Sequence, residues 1–185
     1  MGVVRDDPSL LEAAFAKAAQ EADAIITSGG VSVGEADFTK AMMKKLGDVA
    51  FWKIAMRPGR PMAVGRIGKS VLFGLPGNPV AVMVTFLAFV RPALLRMMGS
   101  TAQPAPLLKA KSLEPLRKKA GRTEYQRGFV SSADDGTLQV RTTGNQGSGV
   151  LSSMVQGNGL IVLHHTQGNV AIGDEVDVMM FDGAI

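Results

Sequence analysis

Ala24-Ile25-Ile26-Thr27-Ser28-Gly29-Gly30-Val31-Ser32-Val33-Gly34-Glu35-Ala36-Asp37 is the stretch on which the fold turns. Four residues of compact β character break at Ser28-Gly29-Gly30. A helix from Asp37 to about Leu46 follows, with Gly47 in a C-cap position. Towards the N-terminus, Val3-Val4 reads as the end of a strand, and Asp6-Asp7-Pro8 as the cap and first-turn proline of a helix running to about Glu21. Leu11, Phe15 and Ala18 recur there at helical spacing. Towards the C-terminus, strands are expected near residues 49–56, 62–64 and 71–73, and then a long helix from Pro79 to about Met98. Alternation of strands and helices implies an α/β unit, a mostly parallel sheet with helices on both faces.

The grammar changes after Gly99. Ser100-Thr101-Ala102-Gln103-Pro104-Ala105-Pro106 has the composition of a linker. Beyond it, short β-rich runs (Phe129-Val130, residues 138–140, 160–163 and 176–178) alternate with turns at Asp135-Gly136, Gly157-Asn158-Gly159 and Gly173-Asp174. That is the pattern of a small all-β barrel. Two domains are therefore expected, residues 1–103 and 104–185.

With 185 residues, 46% of them hydrophobic and 19% charged, the chain can bury a real core in either domain. It has no cysteine, which excludes disulfides, a thiolate nucleophile and a cysteine-ligated metal, and is compatible with the cytoplasm. The longest apolar run, residues 80–90, falls short of the roughly 20 residues of a membrane span and reads as a buried helix. A net charge of +4 favours anionic partners. One tyrosine and one tryptophan supply too little stacking surface for a single-strand nucleic-acid binder, so a small anion accounts for the charge better.

Three segments can carry chemistry. Thr27 to Asp37 follows a buried strand, where open α/β sheets bind ligands. Its glycines and serines let backbone N–H groups approach a phosphate, and Glu35 and Asp37 place carboxylates suited to Mg²⁺ beside it, although a structural turn with a helix cap would have a similar composition. In Gly74-Leu75-Pro76-Gly77-Asn78-Pro79, Asn78 can cap the next helix and aim its N-terminus at an anion. In Lys53-Ile54-Ala55-Met56-Arg57-Pro58-Gly59-Arg60-Pro61, one extended strand would project Lys53 and Arg57 from the same face, with Arg60 following the turn; this is an anion clamp or a solvated edge. The histidines, His164 and His165, are adjacent and cannot chelate one metal from a strand, so a structural or surface role is expected. Met42, Met43, Met97 and Met98 read as core filler, Trp52 as facing the core or a subunit contact, and the cluster Arg117, Lys118, Lys119, Arg122 as a solvated loop.

The strings from Thr27 to Asp37, Phe51-Trp52-Lys53-Ile54-Ala55, Arg57-Pro58-Gly59-Arg60-Pro61 and Gly74 to Pro79, in this order and spacing, resemble the MoeA/gephyrin E-domain family. Thr143-Gly144-Asn145-Gln146-Gly147-Ser148 and Gly168-Asn169-Val170 resemble that family's C-terminal β-domain, so the likeness spans essentially the whole chain. The resemblance implies a catalytic domain sharing the fold of molybdopterin adenylyltransferases. Such a domain binds adenylylated molybdopterin and molybdate, uses Mg²⁺, and inserts the metal with release of AMP. It places Asp6, Asp37, Lys53, Arg57, Pro76, Pro79 and Ser148 in or around the site. Asp37 and Asp6 are then assigned to Mg²⁺ or water handling, with Glu35 as a second metal-ligand candidate. Lys53, Arg57 and Arg60 would hold anions, and Ser28, Gly29, Gly30, Ser32, Gly34, Gly77 and Asn78 would line the phosphate or pterin site. A homodimer, and a molybdopterin adenylyltransferase as partner, are implied in the same way. The alternatives are an adenylyltransferase, against which the appended β-domain argues, and a non-enzymatic scaffold, which would not need Glu35 and Asp37.

Family members often carry lysine where Arg57 and Arg60 stand, and they begin with two further domains and the first part of the catalytic domain. The expectation is that this front is missing here and that the active site is incomplete. The purified 185-residue chain is therefore predicted to have little or no insertase activity. Detectable molybdate insertion in a cofactor-reconstitution assay would overturn this.

Overall fold

In the computed structural model, residues 1–31, 38–101 and 106–181 are described. The chain divides into two compact units, Met1–Ile54 with Gly59–Met98, and Ala55–Pro58 with Gly99–Ile185.

In the first unit, α1 (Pro8–Glu21) starts where the sequence places it. The Asp7 carboxylate accepts the Ser9 and Leu10 N–H groups, Pro8 occupies the first turn, and Leu11, Phe15 and Ala18 are buried. The Ser9 hydroxyl and the Leu10 N–H hold the Asp7 carboxyl below its ordinary range. Val3 and Val4 form no strand. Val3 is 99% exposed, and extended backbone needs a neighbour for its hydrogen bonds, which these residues lack among those described.

Strands β1 (Ala24–Ser28), β2 (Gly47–Lys53), β4 (Pro61–Ile67) and β5 (Ser70–Leu75) form a sheet in the order β1-β5-β4-β2. The sheet is mixed rather than mostly parallel. β1 and β5 pair in parallel, but β2, β4 and β5 run as antiparallel neighbours. The connections explain this: no helix separates β2 from β4 or β4 from β5, and short links reverse the chain. Helices do cover both faces. α1 and α2 (Phe38–Leu46) pack Phe15, Ala18 and Met43 against Ile25, Ala63, Ile67 and Leu72. On the other face, Val90 packs with Met62, Phe73 and Leu75. Val90 belongs to a 19-residue helical rod, Pro79–Met97, made of α3 (Pro79–Thr85), a π-helical turn at Phe86–Val90, and α4 (Arg91–Met97). Pro92 explains the wide turn. It has no N–H and its ring crowds the carbonyl four residues back, so the Arg91 N–H bonds to the Phe86 carbonyl instead. By length and composition this rod could cross a membrane, yet Val80, Val84 and Val90 are fully buried in the unit, as in a core helix.

Gly47 directly follows α2 and begins β2, and a side chain there would collide with the Arg66 carbonyl oxygen across the β2–β4 pair. Several local expectations are corrected. Met97 and Met98 are exposed, and Trp52, 59% exposed on an edge strand, does not face the core; of its two expected roles, the subunit contact is the one its exposure leaves open. Residues 49–56 are not one strand. β2 ends at Lys53, and β3 (Met56–Arg57) pairs in parallel with Thr123 and Glu124 of the second unit.

The second unit is a closed five-stranded barrel. β7 (Thr123–Ser132) pairs with β9 (Gly159–Leu163) through Glu124–Gly128 and with β8 (Leu138–Thr142) through Gly128–Ser132. β6 (Leu108–Ser112) and β10 (Glu175–Met180) complete the circuit. Ala110, Val130, Val140, Ile161, Leu163, Val176 and Val178 fill it. Gly128 is where β7 changes partner, and a Cβ there would lie 2.9 Å from both Ile161 Cγ1 and Val140 Cγ2, two fully buried side chains. Gly128→Ala is predicted to lower stability by about 1–3 kcal/mol through overpacking, read as a lower urea midpoint at unchanged slope.

Candidate functional site

Residue pairing across the first unit's sheet brings three of the sequence motifs to one edge. Ser28 at the end of β1 faces Leu75 at the end of β5, and Lys53 at the end of β2 faces Pro61 at the start of β4. With strands about 4.8 Å apart, this edge extends roughly 14 Å from Ser28 to Lys53. The two glycine loops touch. The Gly29 N–H donates to the Leu75 carbonyl at 3.0 Å, and a Cβ on Gly77 would lie 3.6 Å from the Gly29 Cα. Gly29 and Gly30 have φ of 90° and 71°, and a side chain on Gly30 would collide with Thr39 in the first turn of α2. Glycine is therefore required there for backbone conformation and for space.

A groove of about 640 Å³ beside β1 is lined by Asp6, Thr27, Ser28, Gly29, Gly30 and Thr39, with an apolar wall that includes Phe15 and Ile25. Asn78 occupies the N-cap of α3 but makes no capping bond through its side chain, contrary to expectation. Its Oδ1 and the Thr27 Oγ1 are buried without a hydrogen-bond partner among the described residues. Pro76 is buried, whereas Gly77 and Pro79 are exposed. Arg60 sits beside Pro61 at the same edge, its carbonyl accepting the Ile54 N–H at 2.8 Å. Ser32, Gly34, Glu35 and Asp37 lie outside the described residues. Among the described residues no three acidic or histidine side chains converge as a metal cluster. Asp6 and the neighbouring hydroxyls nevertheless supply oxygen donors of the kind Mg²⁺ takes.

Lys53 and Arg57 do not share one strand. Arg57 belongs to the second unit, whereas Lys53 and Arg60 belong to the first, and the strand break after Lys53 removes the shared face assumed for Lys53 and Arg57. What Arg57 does line is a cavity of about 310 Å³ in the second unit, together with Glu114, Arg117, Glu124, Tyr125, Arg127 and Gln146. Arg127 was missed by sequence reasoning. It is 1% exposed, and among the described residues it forms no ion pair. Neutral acceptors hold it instead: Nε donates to Ser153 Oγ at 2.8 Å, and Nη2 to the Gly147 carbonyl at 3.0 Å and, more weakly, to the Asn145 carbonyl at 3.4 Å. Burial first, and then the charge of Arg57, push the guanidinium below its ordinary range. Burial also pushes the Tyr125 phenol up. Ser148 follows Gly147 in the same loop, half-buried.

The cavity's carboxylates are committed elsewhere. Glu124 pairs with Arg122, whose Nη2 and Nε both lie 2.7 Å from Oε1, and Glu114 Oε1 accepts the Thr142 N–H at 2.6 Å. The cluster from Arg117 to Arg122 is a solvated loop only in part: Arg117 and Lys119 are exposed, and Arg122 is half-buried against Glu124. Lys118 is 6% exposed, its Nζ donating to the Lys119 and Gln167 carbonyls. His164 and His165 are exposed just after β9, and His164 pairs with Asp177. Burial raises the Asp177 carboxyl, but the hydrogen bonds from His164 and Lys109 outweigh it and leave the group below its ordinary range.

Comparison with known proteins agrees with this architecture. Residues 1–96 match the family described as "Probable molybdopterin binding domain", and residues 109–181 match "MoeA C-terminal region (domain IV)". The chain is 43% identical over 183 residues to a molybdopterin molybdenumtransferase of Haemophilus influenzae, covering 98% of this chain and 45% of that protein. It is 30% identical to a gephyrin of Dictyostelium discoideum, covering 97% of this chain and 28% of the relative. A crystal structure of a molybdopterin biosynthesis MoeA protein from Pyrococcus horikoshii superimposes with a TM-score of 0.74 at 29% identity, over 97% of this chain and 42% of the other. The chain thus spans less than half the length of these relatives.

A buried cation without a counter-ion costs stability that an anion would restore. Molybdate is predicted to raise the melting temperature of the wild-type chain, by the equivalent of about 2.7 kcal/mol at a hundredfold excess over Kd. The shift should vanish in Arg127→Met in a thermal-denaturation series, and an equal shift in the variant would refute the assignment.

Proposed function

Since the chain belongs to the family of probable molybdopterin-binding domains matched by its residues 1–96, we propose that it acts in molybdenum cofactor biosynthesis, in the insertion of molybdate into adenylylated molybdopterin with release of AMP. The observation that carries this reading is the buried Arg127 guanidinium, which has no ion pair among the described residues and lines a cavity with Arg57. Such a pair suits a small oxyanion, because guanidinium groups hold oxygens through directed N–H donors.

The first unit supports the other half of the reaction. The touching glycine loops lie at the carboxyl ends of a parallel strand pair, the setting in which open α/β sheets hold phosphates. Lys53 and Arg60 add positive charge to that edge, and the apolar wall of the β1 groove offers a surface for a heterocycle. The chemical task is to bring two anions together, so fixed cations lower the barrier by offsetting their repulsion. Magnesium would be held by Asp6 with Asp37 and Glu35, and when bound it supplies charge neutralisation at the phosphates. No side-chain nucleophile is needed, in keeping with a chain that has no cysteine. The same resemblance supports a cytoplasmic homodimer and a molybdopterin adenylyltransferase as the source of the adenylylated substrate. The match of residues 109–181 to a MoeA C-terminal region weighs against the chain being that adenylyltransferase itself.

Calorimetric titration with molybdate and with AMP, each with and without Mg²⁺, tests the proposal. AMP binding is expected to depend on Mg²⁺ and to be lost in Asp37→Ala, whereas molybdate binding is expected to survive Asp37→Ala and fail in Arg57→Ala. Absence of both binding events in the wild-type chain would refute it.

A further inference from the structure

Strand β7 changes partner at Gly128, which is paired with Thr142 of β8 on one side and with Gly159 of β9 on the other. Beyond each junction a strand has ended, and backbone groups of β7 need new partners. Two carboxamides take over. Asn158 Oδ1 accepts the Val130 N–H at 2.7 Å while its Nδ2 donates to the Val130 carbonyl at 2.8 Å. Gln146 Oε1 accepts the Arg127 N–H at 2.7 Å while its Nε2 donates to the Arg127 carbonyl at 3.1 Å. Each side chain thus imitates one residue of a neighbouring strand, since a carboxamide carries the donor and acceptor of a peptide group.

The two locks differ in what they hold. Asn158 does not line the cavity of Arg57 and Arg127, whereas Gln146 does. Gln146 also lies between the two residues whose carbonyls, Asn145 and Gly147, receive the Arg127 guanidinium. The loop and the arginine therefore hold one another twice: the Gln146 side chain grips the Arg127 backbone, and the Arg127 side chain grips the backbone flanking Gln146. Asn145 tightens the loop further, its Oδ1 accepting the Gly147 N–H at 2.8 Å.

We propose that Gln146 is a positioning residue for anion recognition, setting the direction of the buried Arg127 guanidinium by fixing the carbonyls that hold it. The inference rests on the reading of this cavity as an oxyanion site. Without Gln146 the Arg127 N–H and carbonyl lose a partner, the loop from Thr143 to Ser148 loosens, and the guanidinium loses its two fixed carbonyl acceptors while keeping its charge and its bond to Ser153.

The test compares Gln146→Ala with Asn158→Ala in the full chain. Both remove a carboxamide lock on β7, so both should lower stability. Only Gln146→Ala should weaken molybdate binding, by about tenfold, with Asn158→Ala staying within about twofold of wild type. Gln146→Glu keeps the acceptor, loses the donor and should weaken binding in the same direction. In the double variant with Arg127→Lys, loss of Gln146 should add nothing further, since it acts through Arg127. Wild-type affinity in Gln146→Ala, or equal loss in Asn158→Ala, overturns the proposal. A second readout needs no ligand: the exchange rate of the Arg127 Nη2 protons by NMR, expected to rise about tenfold in Gln146→Ala as the Asn145 and Gly147 carbonyls are released, while the Nε–H held by Ser153 changes less. If the wild-type chain binds no molybdate, the cavity reading fails by itself, and an unchanged exchange rate in Gln146→Ala then overturns the positioning role as well.

Discussion

Every buried backbone N–H and C=O must find a partner, and that requirement organises both units. In the barrel it decides how a ten-residue strand, β7, can serve two neighbours in succession. Gly128 allows the exchange, and Gln146 and Asn158 satisfy the groups that the departing strands leave. In the α/β unit it explains why Val3 and Val4, apolar and β-branched, form no strand when no neighbour is present for them among the described residues. It also links structure to chemistry. The loop that completes the hydrogen bonding of Arg127 is the loop that holds its guanidinium, so barrel closure and the proposed anion recognition use the same residues.

Charge placement follows a second rule with a different cost. Arg122 and Glu124 neutralise each other, so the pair can be largely buried without changing the cavity's net charge. Arg127 has been given no such partner among the described residues, and its bonds to Ser153 and two carbonyls stabilise the group without cancelling its charge. A neutral shell around a buried cation maintains an attractive potential for an incoming anion, whereas a carboxylate would have quenched it. Arg57, nearby, makes that potential stronger and the folded state less favourable. The shifted guanidinium is the sign of that trade-off.

Much of this was legible in the sequence, and the exceptions share a cause. The Asp7-Pro8 start of α1, the break of β1 at Ser28-Gly29-Gly30 and the all-β second half depend on local signals, and those are where reading is most reliable. The glycine loop after β1 and Gly74 to Pro79 stand out in the sequence, but their mutual contact depends on β1 pairing with β5, residues about fifty positions apart. Parity failed for Lys53 and Arg57 because it assumes an uninterrupted strand, and the chain passes from one unit to the other between them. Lys118 looked solvated because it sits among cations, although the carbonyls of its neighbour Lys119 and of the distant Gln167 hold its buried ammonium group.

Arg127 shows most sharply what local reading omits. In sequence it stands in Tyr125-Gln126-Arg127-Gly128, a strand segment in which nothing marks an arginine as fully enclosed. Its burial follows from three long-range facts: β7 closes the barrel, Ser153 arrives from α5 (Ser152–Gln156), and the loop from Thr143 to Ser148 folds back across it. That loop was legible as a motif, and its Gln146 was the available clue. A glutamine amid glycines and small residues has no core to fill, so it must serve through its carboxamide, and the backbone it serves is that of the cation. The motif read from sequence as belonging to a β-domain thus leads, through one side chain, to the cavity of Arg57 and Arg127 in the second unit, where the anion site is proposed.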